Sequence, residues 1–431
     1  MVSRSKPDDA GSADEENAPE MPAQQLSDRS MQLDERLRRV RNRARLVPLA
    51  WLIALALLVL IALITLGWLL STWQVNALIM VLPALIPLSL VLAGVAYLDR
   101  WEPEPPLLLA LMALYGAGAA VAGTLLTGNF LVDVAENYAT EQLQQAVFSL
   151  LVQAPVLEEA MKSLGVLLIL FIARRELSGP LDGFIYAAMI GAGFAFTENI
   201  IYFASSEAIG TEFMWMLVVR CILSPFAHVL FTGVFGLAMG WAARHHELWR
   251  FFVAGAVGLF LAIGLHALWN GGAVLVLPLL GIEPDNPLSW VIYYLLVQVP
   301  LFGVVVWLLM RLQDRDVAVL RRRIDEYRRA GWFTVEEVRM ITDWKTRRAA
   351  LRWARKQPTH VADAMRGFIR SATRLAFARE HAAIDKRDPL RRPLEQALLE
   401  ATRRHREVLN NAQQQRHAGA AQTSVVASKH D

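Results

Sequence analysis

Two adjacent carboxylates, Glu158 and Glu159, lie in a segment that is otherwise apolar enough to cross a membrane. A charged side chain at the centre of a bilayer costs about 2.5–3.5 kcal/mol even on the lower of the current scales, so such residues usually serve a function. Later apolar segments contain His228, His266 and Asn270. Carboxylates and imidazoles take protons from water or bind divalent metals, and an amide can donate to an oxyanion. These residues are therefore compatible with hydrolysis at membrane depth.

Further polar residues accompany these five in the same segments. Lys162 follows the paired carboxylates by three and four positions, so it can form an ion pair with them on one face of a helix. Glu198 and Asn199 lie in the next apolar segment, and Arg220 lies in the one after that. We predict that these four residues support the site.

The composition of the chain is typical of a membrane protein that crosses the bilayer several times. Of its 431 residues 55% are hydrophobic, and the mean hydropathy is +0.34. Because Cys221 is the single cysteine, the chain has neither an internal disulfide nor a cysteine-rich metal site. No nucleic-acid partner is predicted.

Apolar stretches of about 20 residues, the length that a helix needs to cross a bilayer, recur along the chain. They predict an all-α membrane bundle of about eight transmembrane helices, followed by a helical C-terminal domain. The predicted spans are 47–70, 75–98, 107–131, 148–173, 183–204, 215–243, 250–276 and 288–310.

The charges of the connecting segments predict the orientation in the cell membrane. Arginine-rich segments such as "DERLRRVRNRAR" and "RRELSGP" alternate with segments that lack Arg and Lys, such as "DVAENYATEQLQQ". Because positively charged loops remain in the cytoplasm, both termini are predicted to be cytoplasmic.

The composition also predicts three domains. Residues 1–46 are expected to form a disordered, basic cytoplasmic tail without a secretion signal, and residues 47–311 a transmembrane domain. Residues 312–431 are charged and have helical periodicity in places, which predicts a cytoplasmic helical domain with a ragged end.

The predicted spans place the polar residues in one layer. With a rise of 1.5 Å per residue, Glu159, His228 and His266 lie roughly 15 Å below the outer ends of their helices. By the same rise per residue, Glu198 lies roughly 10 Å below the outer end of its helix. Four helices therefore contribute polar groups to one depth, which predicts a shared, water-accessible cavity in the outer half of the bilayer.

The motifs that contain these residues resemble those of a known family. "EEAMK", "LDGFIYAAMIGAGFAFTENIIYF", "RCILSPFAHVLFTGVFG" and "HALWN" follow one another between residues 158 and 270. Their order and spacing resemble the PrsW family of intramembrane proteases, a branch of the group that includes the CAAX prenyl-proteases. The segment "DRWEPEPP" before the third span is also similar, and the resemblance covers about residues 95–275.

The resemblance implies a membrane endopeptidase with two alternative mechanisms. A metalloprotease would hold zinc with Glu159, His228 and His266, whereas the CAAX-protease relatives imply a glutamate-type hydrolase in which His and Asn stabilise the oxyanion. In either case one of the paired glutamates activates water. The implied substrate is a protein anchored in the lipid bilayer, such as an anti-sigma factor, cut near the outer surface.

Two functions of other classes compete with hydrolysis. A transporter that uses the Glu and His residues as a proton relay would need polar residues at several depths, whereas the sequence places them in one layer. A non-catalytic membrane scaffold would act through its C-terminal domain, and its function would not depend on the paired glutamates.

Overall fold

The computed structural model describes residues 23–135, 147–173, 177, 179–205, 210–245, 247–283, 287–384 and 391–427. These residues are helical almost throughout and include no strand, which confirms the predicted all-α fold class. Residues 1–22 of the predicted disordered tail, most of the acidic connection after the third span, and Arg174 and Arg175 lie outside the described residues.

Fourteen α-helices are described in these ranges. In chain order they are α1 (Ala23–Leu98), α2 (Pro106–Leu114), α3 (Val121–Ala135), α4 (Ala154–Ile172), α5 (Pro180–Ser205), α6 (Thr211–Leu217), α7 (Ala227–Ala243), α8 (Leu248–Val276), α9 (Pro287–Tyr293), α10 (Val299–Arg329), α11 (Val335–Thr342), α12 (Trp344–Ala354), α13 (Thr359–Ile384) and α14 (Arg391–Ala427). Wider π-helical turns occupy Tyr115–Ala120, Ser149–Gln153, Val218–Leu223 and Tyr294–Gln298, and a short 3₁₀ helix occupies Pro278–Leu280.

Residues 1–57 and residues 58–431 form two separate compact units. In the first unit the described backbone is helical from Ala23, inside the segment for which the sequence predicted a disordered tail. Neither Gly nor Pro occurs between Ala23 and Val47, and Leu, Gln, Glu and Arg favour helix, which accounts for the difference. Helix α1 also continues through residues 71–75, where the sequence predicted a connection between two spans.

Seven of the eight predicted spans meet the length and hydropathy of a membrane-crossing helix within the described residues. The remaining one, helical from Ser149 to Ile172, contains Glu158, Glu159 and Lys162 and is therefore more polar than the others. The seven segments are Ala56–Trp73, Asn76–Leu98, Pro106–Gly128, Pro180–Ser205, Thr211–Ala243, Leu248–Leu280 and Leu288–Arg329.

Helix α5 is the central helix of the second unit, and most of its residues are buried. It packs against α7 with the two main chains in direct contact. A Cβ atom at Gly183 would collide with the main-chain oxygen of Gly236, and one at Gly236 would collide with the oxygen of Gly183. Small residues permit such close approach between membrane helices. The contact fixes the position of α5 relative to α7, and both helices carry site residues.

The helices after residue 312 share a hydrophobic core. Leu320, Ile324, Phe368 and Leu375 are buried in it, and Trp101 from the connection between α1 and α2 packs into the same cluster. The predicted domain boundary at residue 312 lies inside α10, which is one continuous helix.

The same connection also contacts the central helix. Glu104 is buried, and its Oε2 accepts a hydrogen bond of 2.5 Å from the hydroxyl of Tyr186 in α5. Burial, together with the negative charges of Asp182 and Glu102, raises the pKa of the Glu104 carboxyl to about 10. Glu104 is therefore protonated at neutral pH, because its folded pKa lies well above 7.

This protonated carboxyl predicts a pH-dependent stability. Between about pH 4.5 and about pH 10 the folded chain keeps a proton on Glu104 that the unfolded chain has lost. The free energy of unfolding therefore falls as pH rises through this window, by up to about 1.4 kcal/mol per pH unit. We expect the melting temperature in detergent to fall more steeply between pH 6 and pH 9 for the wild type than for Glu104→Gln, which is neutral throughout. Equal slopes for the two proteins would contradict the assignment.

Candidate active site

The paired carboxylates lie on α4, one turn after a π-helical turn and Pro155. Lys162 is fully buried, and its Nζ donates to Oε1 of Glu159 at 2.7 Å and to Oε2 of Glu158 at 3.3 Å. The same ammonium lies 4.1 Å from the ring centroid of Phe194 on α5. The predicted pairing of the lysine with both glutamates is therefore present in the structure.

Glu159 is completely enclosed, and both of its oxygens are occupied. Its Oε1 accepts from Lys162 and, at 3.0 Å, from Nδ1 of His266 on α8. Its Oε2 accepts from the hydroxyl of Thr232 on α7 at 2.9 Å. With three donors from three helices, Glu159 holds the helices and the imidazole in place and has no exposed surface.

The second histidine is oriented by a different carboxylate. Nε2 of His228, at the first turn of α7, lies 2.7 Å from Oε2 of Glu198 on α5. Arg220 donates to the same Glu198 oxygen at 2.6 Å and stacks on the ring of Tyr202 at 3.7 Å. Asn199 accepts a longer bond of 3.4 Å from Arg220. Each histidine thus has one nitrogen fixed by a glutamate.

The remaining nitrogen of each histidine faces Glu158. Oε2 of Glu158 lies 3.8 Å from Nδ1 of His228 and 3.8 Å from Nε2 of His266. Both distances are too long for a direct hydrogen bond, but they leave room for a group that bridges the carboxylate oxygen and the ring nitrogen. The bonds on the far side of each ring leave His266 Nε2 and His228 Nδ1 as acceptors. Three acceptor atoms from α4, α7 and α8 thus surround one position.

These three groups fit a catalytic zinc in type and number. Such a zinc takes three protein ligands, and Glu158, His228 and His266 offer ligand atoms that all lie within 4.8 Å of one another. Metal-binding histidines usually donate their other nitrogen to a carboxylate, as both do here. Lys162 Nζ lies 3.1 Å from Nδ1 of His228, however, so a metal would require the ammonium to turn away.

The structure differs from the sequence analysis in the carboxylate that faces the histidines. The predicted metal set contained Glu159, whereas the structure groups Glu158 with the two imidazoles and bonds Glu159 to Lys162, His266 and Thr232. Adjacent residues of a helix point about 100° apart, so only one of the pair could face the position between the two imidazoles. The sequence did not show which one.

Asn270 lies one turn beyond His266 on α8, as predicted. The hydrogen bond that the structure gives its side chain is a donation of 3.3 Å to the main-chain oxygen of Leu150. It therefore lies next to the π-helical turn that precedes α4 and is not bonded to the carboxylates.

Thr232 and Phe231 are among the residues that contact the site and were not predicted from the sequence. Thr232 follows His228 by four positions, and this spacing, which places it on the same face of α7, was the available signal. Phe231 stacks on His266 with ring centroids 4.9 Å apart. A phenylalanine in an apolar helix offers no comparable signal.

Comparisons with known proteins agree on one family. Residues 104–305 match the model of the PrsW family of intramembrane metalloproteases. The chain is 30% identical over 156 residues, 36% of its length, to the Protease PrsW of Clostridioides difficile (strain 630), and the match spans 61% of that relative, less than two thirds. It is 29% identical over 180 residues, 38% of its length, to the Protease PrsW of Geobacillus kaustophilus (strain HTA426), 74% of which is matched. No solved structure is significantly similar to the chain.

Proposed function

We propose that the chain, a multi-pass membrane protein that belongs to the PrsW family, is an intramembrane endopeptidase that hydrolyses a peptide bond of a membrane-anchored protein. The observation that carries this proposal is the convergence of Glu158, His228 and His266 on one position inside the helix bundle, with each imidazole held by a second glutamate.

In this proposal Glu158 activates the attacking water. Its Oε2 and Nε2 of His266, 3.8 Å apart, are both acceptors, so a water between them donates one hydrogen to each. Glu158 takes a proton as the water oxygen attacks the carbonyl carbon of the substrate. Lys162, bonded to the same oxygen at 3.3 Å, holds the carboxylate in place.

The remaining steps complete the hydrolysis. The carbonyl oxygen becomes negatively charged in the tetrahedral intermediate. In this proposal the amide of Asn270, one turn beyond His266, leaves Leu150 and donates to it. Glu158 then gives its proton to the leaving nitrogen as the C–N bond breaks. The products are a carboxylic acid and an amine, and the site returns to its starting charge.

A zinc ion would be held by Glu158, His228 and His266 and would polarise the substrate carbonyl and lower the pKa of a bound water. The residues that orient the imidazoles, Glu159 and Glu198, keep the same role whether or not a metal is bound.

The location of the site supports a substrate that is itself in the membrane. The carboxylates and histidines lie on helices apolar enough to cross a bilayer or packed among such helices. With both termini in the cytoplasm, the site would face the outer half of the bilayer, and a single-span protein such as an anti-sigma-type regulator would reach it near the outer surface.

The test is direct cleavage by the purified full chain in lipid nanodiscs. The substrates are a pooled library of single-span peptides with apolar cores of Leu and Ala, and cut positions are read by mass spectrometry. We expect cuts within or at the edge of the span. The proposal would be overturned if no peptide is cut and if cells that carry the Glu158→Gln protein have the same phenotype as cells that carry the wild type.

Metal content is measured on the same sample. If zinc takes part, we expect about one zinc per chain, loss of cleavage with a chelator and recovery on adding zinc. If the carboxylate acts alone, cleavage survives the chelator, and His266→Ala lowers the rate without any change in metal content.

A further inference from the structure

A cavity of about 180 Å³ lies beside the candidate active site. It is bounded by the start of α7, by the second half of α8, and by the π-helical turn Tyr294–Gln298 together with the first turns of α10. Its lining includes the side chains of Leu230, Phe231, Leu265, Trp269, Leu301 and Val305. Its walls are therefore mainly aliphatic and aromatic.

The cavity and the active site share a wall. Phe231 lines the cavity on one side, and on the other its ring stacks on His266 at 4.9 Å and lies 5.9 Å from His228. Trp269, three residues after His266 on α8, is a second wall residue, and its ring lies 6.4 Å from that of Phe231. One aromatic ring thus separates the cavity from the group proposed to hold the attacking water.

The main chain around the cavity departs from regular α-helix. The π-helical turn Val218–Leu223 ends in a turn at Ser224–Phe226 before α7 begins, and the π-helical turn Tyr294–Gln298 precedes α10. At membrane depth such main chain is tolerated where it is buried in protein or lines a cavity. Single π-helical turns are also frequent at functional sites.

The size and chemistry of the cavity fit one large apolar side chain. An apolar cavity of about 150 Å³ in another protein binds benzene, so about 180 Å³ accommodates a Leu, Ile or Phe side chain. Small-molecule and substrate pockets combine an apolar lining with a few polar groups, here Ser224 and Gln298. A lipid acyl chain would need a longer channel than this volume provides.

We propose that this cavity is the specificity pocket of the enzyme and receives a large apolar side chain of the substrate next to the scissile peptide bond. This inference rests on the proposed protease function. With its side chain behind Phe231, a substrate residue would bring its own main chain to the position between Glu158 and the two histidines. Hydrophobic pockets of this kind discriminate by roughly 10–200-fold between side chains that differ in size.

The test fills the pocket without touching the carboxylates or histidines. Val305 on α10 lines the cavity, whereas its neighbour Val306 is 36% exposed and is not part of the lining. Val305→Phe and the matched control Val306→Phe are compared on the single-span peptide library. We expect the wild type and the control to prefer Leu, Ile or Phe at one position beside the cut, and Val305→Phe to shift that preference toward Ala by about tenfold or more.

A binding measurement separates this inference from the protease function. Single-span peptides that carry photo-leucine are irradiated with the Glu158→Gln protein, and the cross-linked residue is mapped by mass spectrometry. Cross-links to Leu301 or Leu265 that disappear in the Glu158→Gln/Val305→Phe protein support the pocket, even if no peptide is cut. An unchanged cleavage preference in Val305→Phe, or cross-links that never reach the cavity residues, would overturn it, even if the wild type is an active protease. The unchanged preference and the missing cross-links are the results expected if the cavity holds lipid.

Discussion

Glu158→Gln is expected to lower the rate of peptide cleavage by about 10²–10⁴-fold, the usual contribution of a general base. The amide keeps the shape of the carboxylate and its contact with Lys162 but cannot accept a proton from water. Oε2 of Glu158 is the oxygen that faces both histidines, so the substitution removes the carboxylate on which the two imidazoles converge. The measurement is the single-turnover rate on the peptide that the wild type cuts fastest.

The matched control is Glu212→Gln. Glu212 is an exposed glutamate at the start of α6 and has no part in the site, so its loss should leave the rate unchanged. Cleavage within threefold of wild type in Glu158→Gln would contradict the role given to this residue. A loss of bound zinc in the variant would identify Glu158 as a ligand, and unchanged metal content would support its role as the base.

The second large effect is on stability, at Lys162. Lys162→Met is expected to lower the free energy of unfolding in detergent by about 3–5 kcal/mol, because it leaves buried carboxylates without their cation. Glu159 is the most affected, since its Oε1 lies 2.7 Å from the ammonium and has no access to water. Lys345→Met, at an exposed position of α12, is the control and should change stability little.

A double-mutant cycle assigns the loss to this pair. Glu159→Gln/Lys162→Met should be less destabilised than the sum of the two single variants, by about 0.5–3 kcal/mol, because the neutral amide no longer needs a cation. Additive losses would mean that the ion pair does not contribute to folding and that the methionine acts through packing alone. Denaturant unfolding in detergent, followed by circular dichroism, gives all four values.

Much of the site was predictable because charges in apolar helices are costly and therefore rarely accidental. The glutamates, histidines and lysine stood out from their neighbours, and helical spacing correctly indicated that Lys162 reaches both carboxylates. The all-α class followed from recurring apolar stretches of sufficient length.

The sequence did not indicate how each helix is rotated about its own axis or which side chains from different helices come into contact. Whether Glu158 or Glu159 faces both histidines depends on how α4 is turned about its axis, which is set by packing against the surrounding helices, α7 and α8 among them. The cavity behind Phe231 likewise arises from helices distant in sequence. The unbroken helix through residues 71–75 differs from the predicted connection because those residues contain no Gly or Pro that would end a helix.

The direct main-chain contact between α5 and α7 limits how the proposed substrate can enter. Gly183 and Gly236 touch near the N-terminal end of α5, and Gly191 meets the main chain of His228 about two turns further along. Parting these helices would break a contact that extends over several turns and would also pull Glu198 away from His228. Lateral entry of the proposed substrate from the lipid therefore has no low-energy path along this seam.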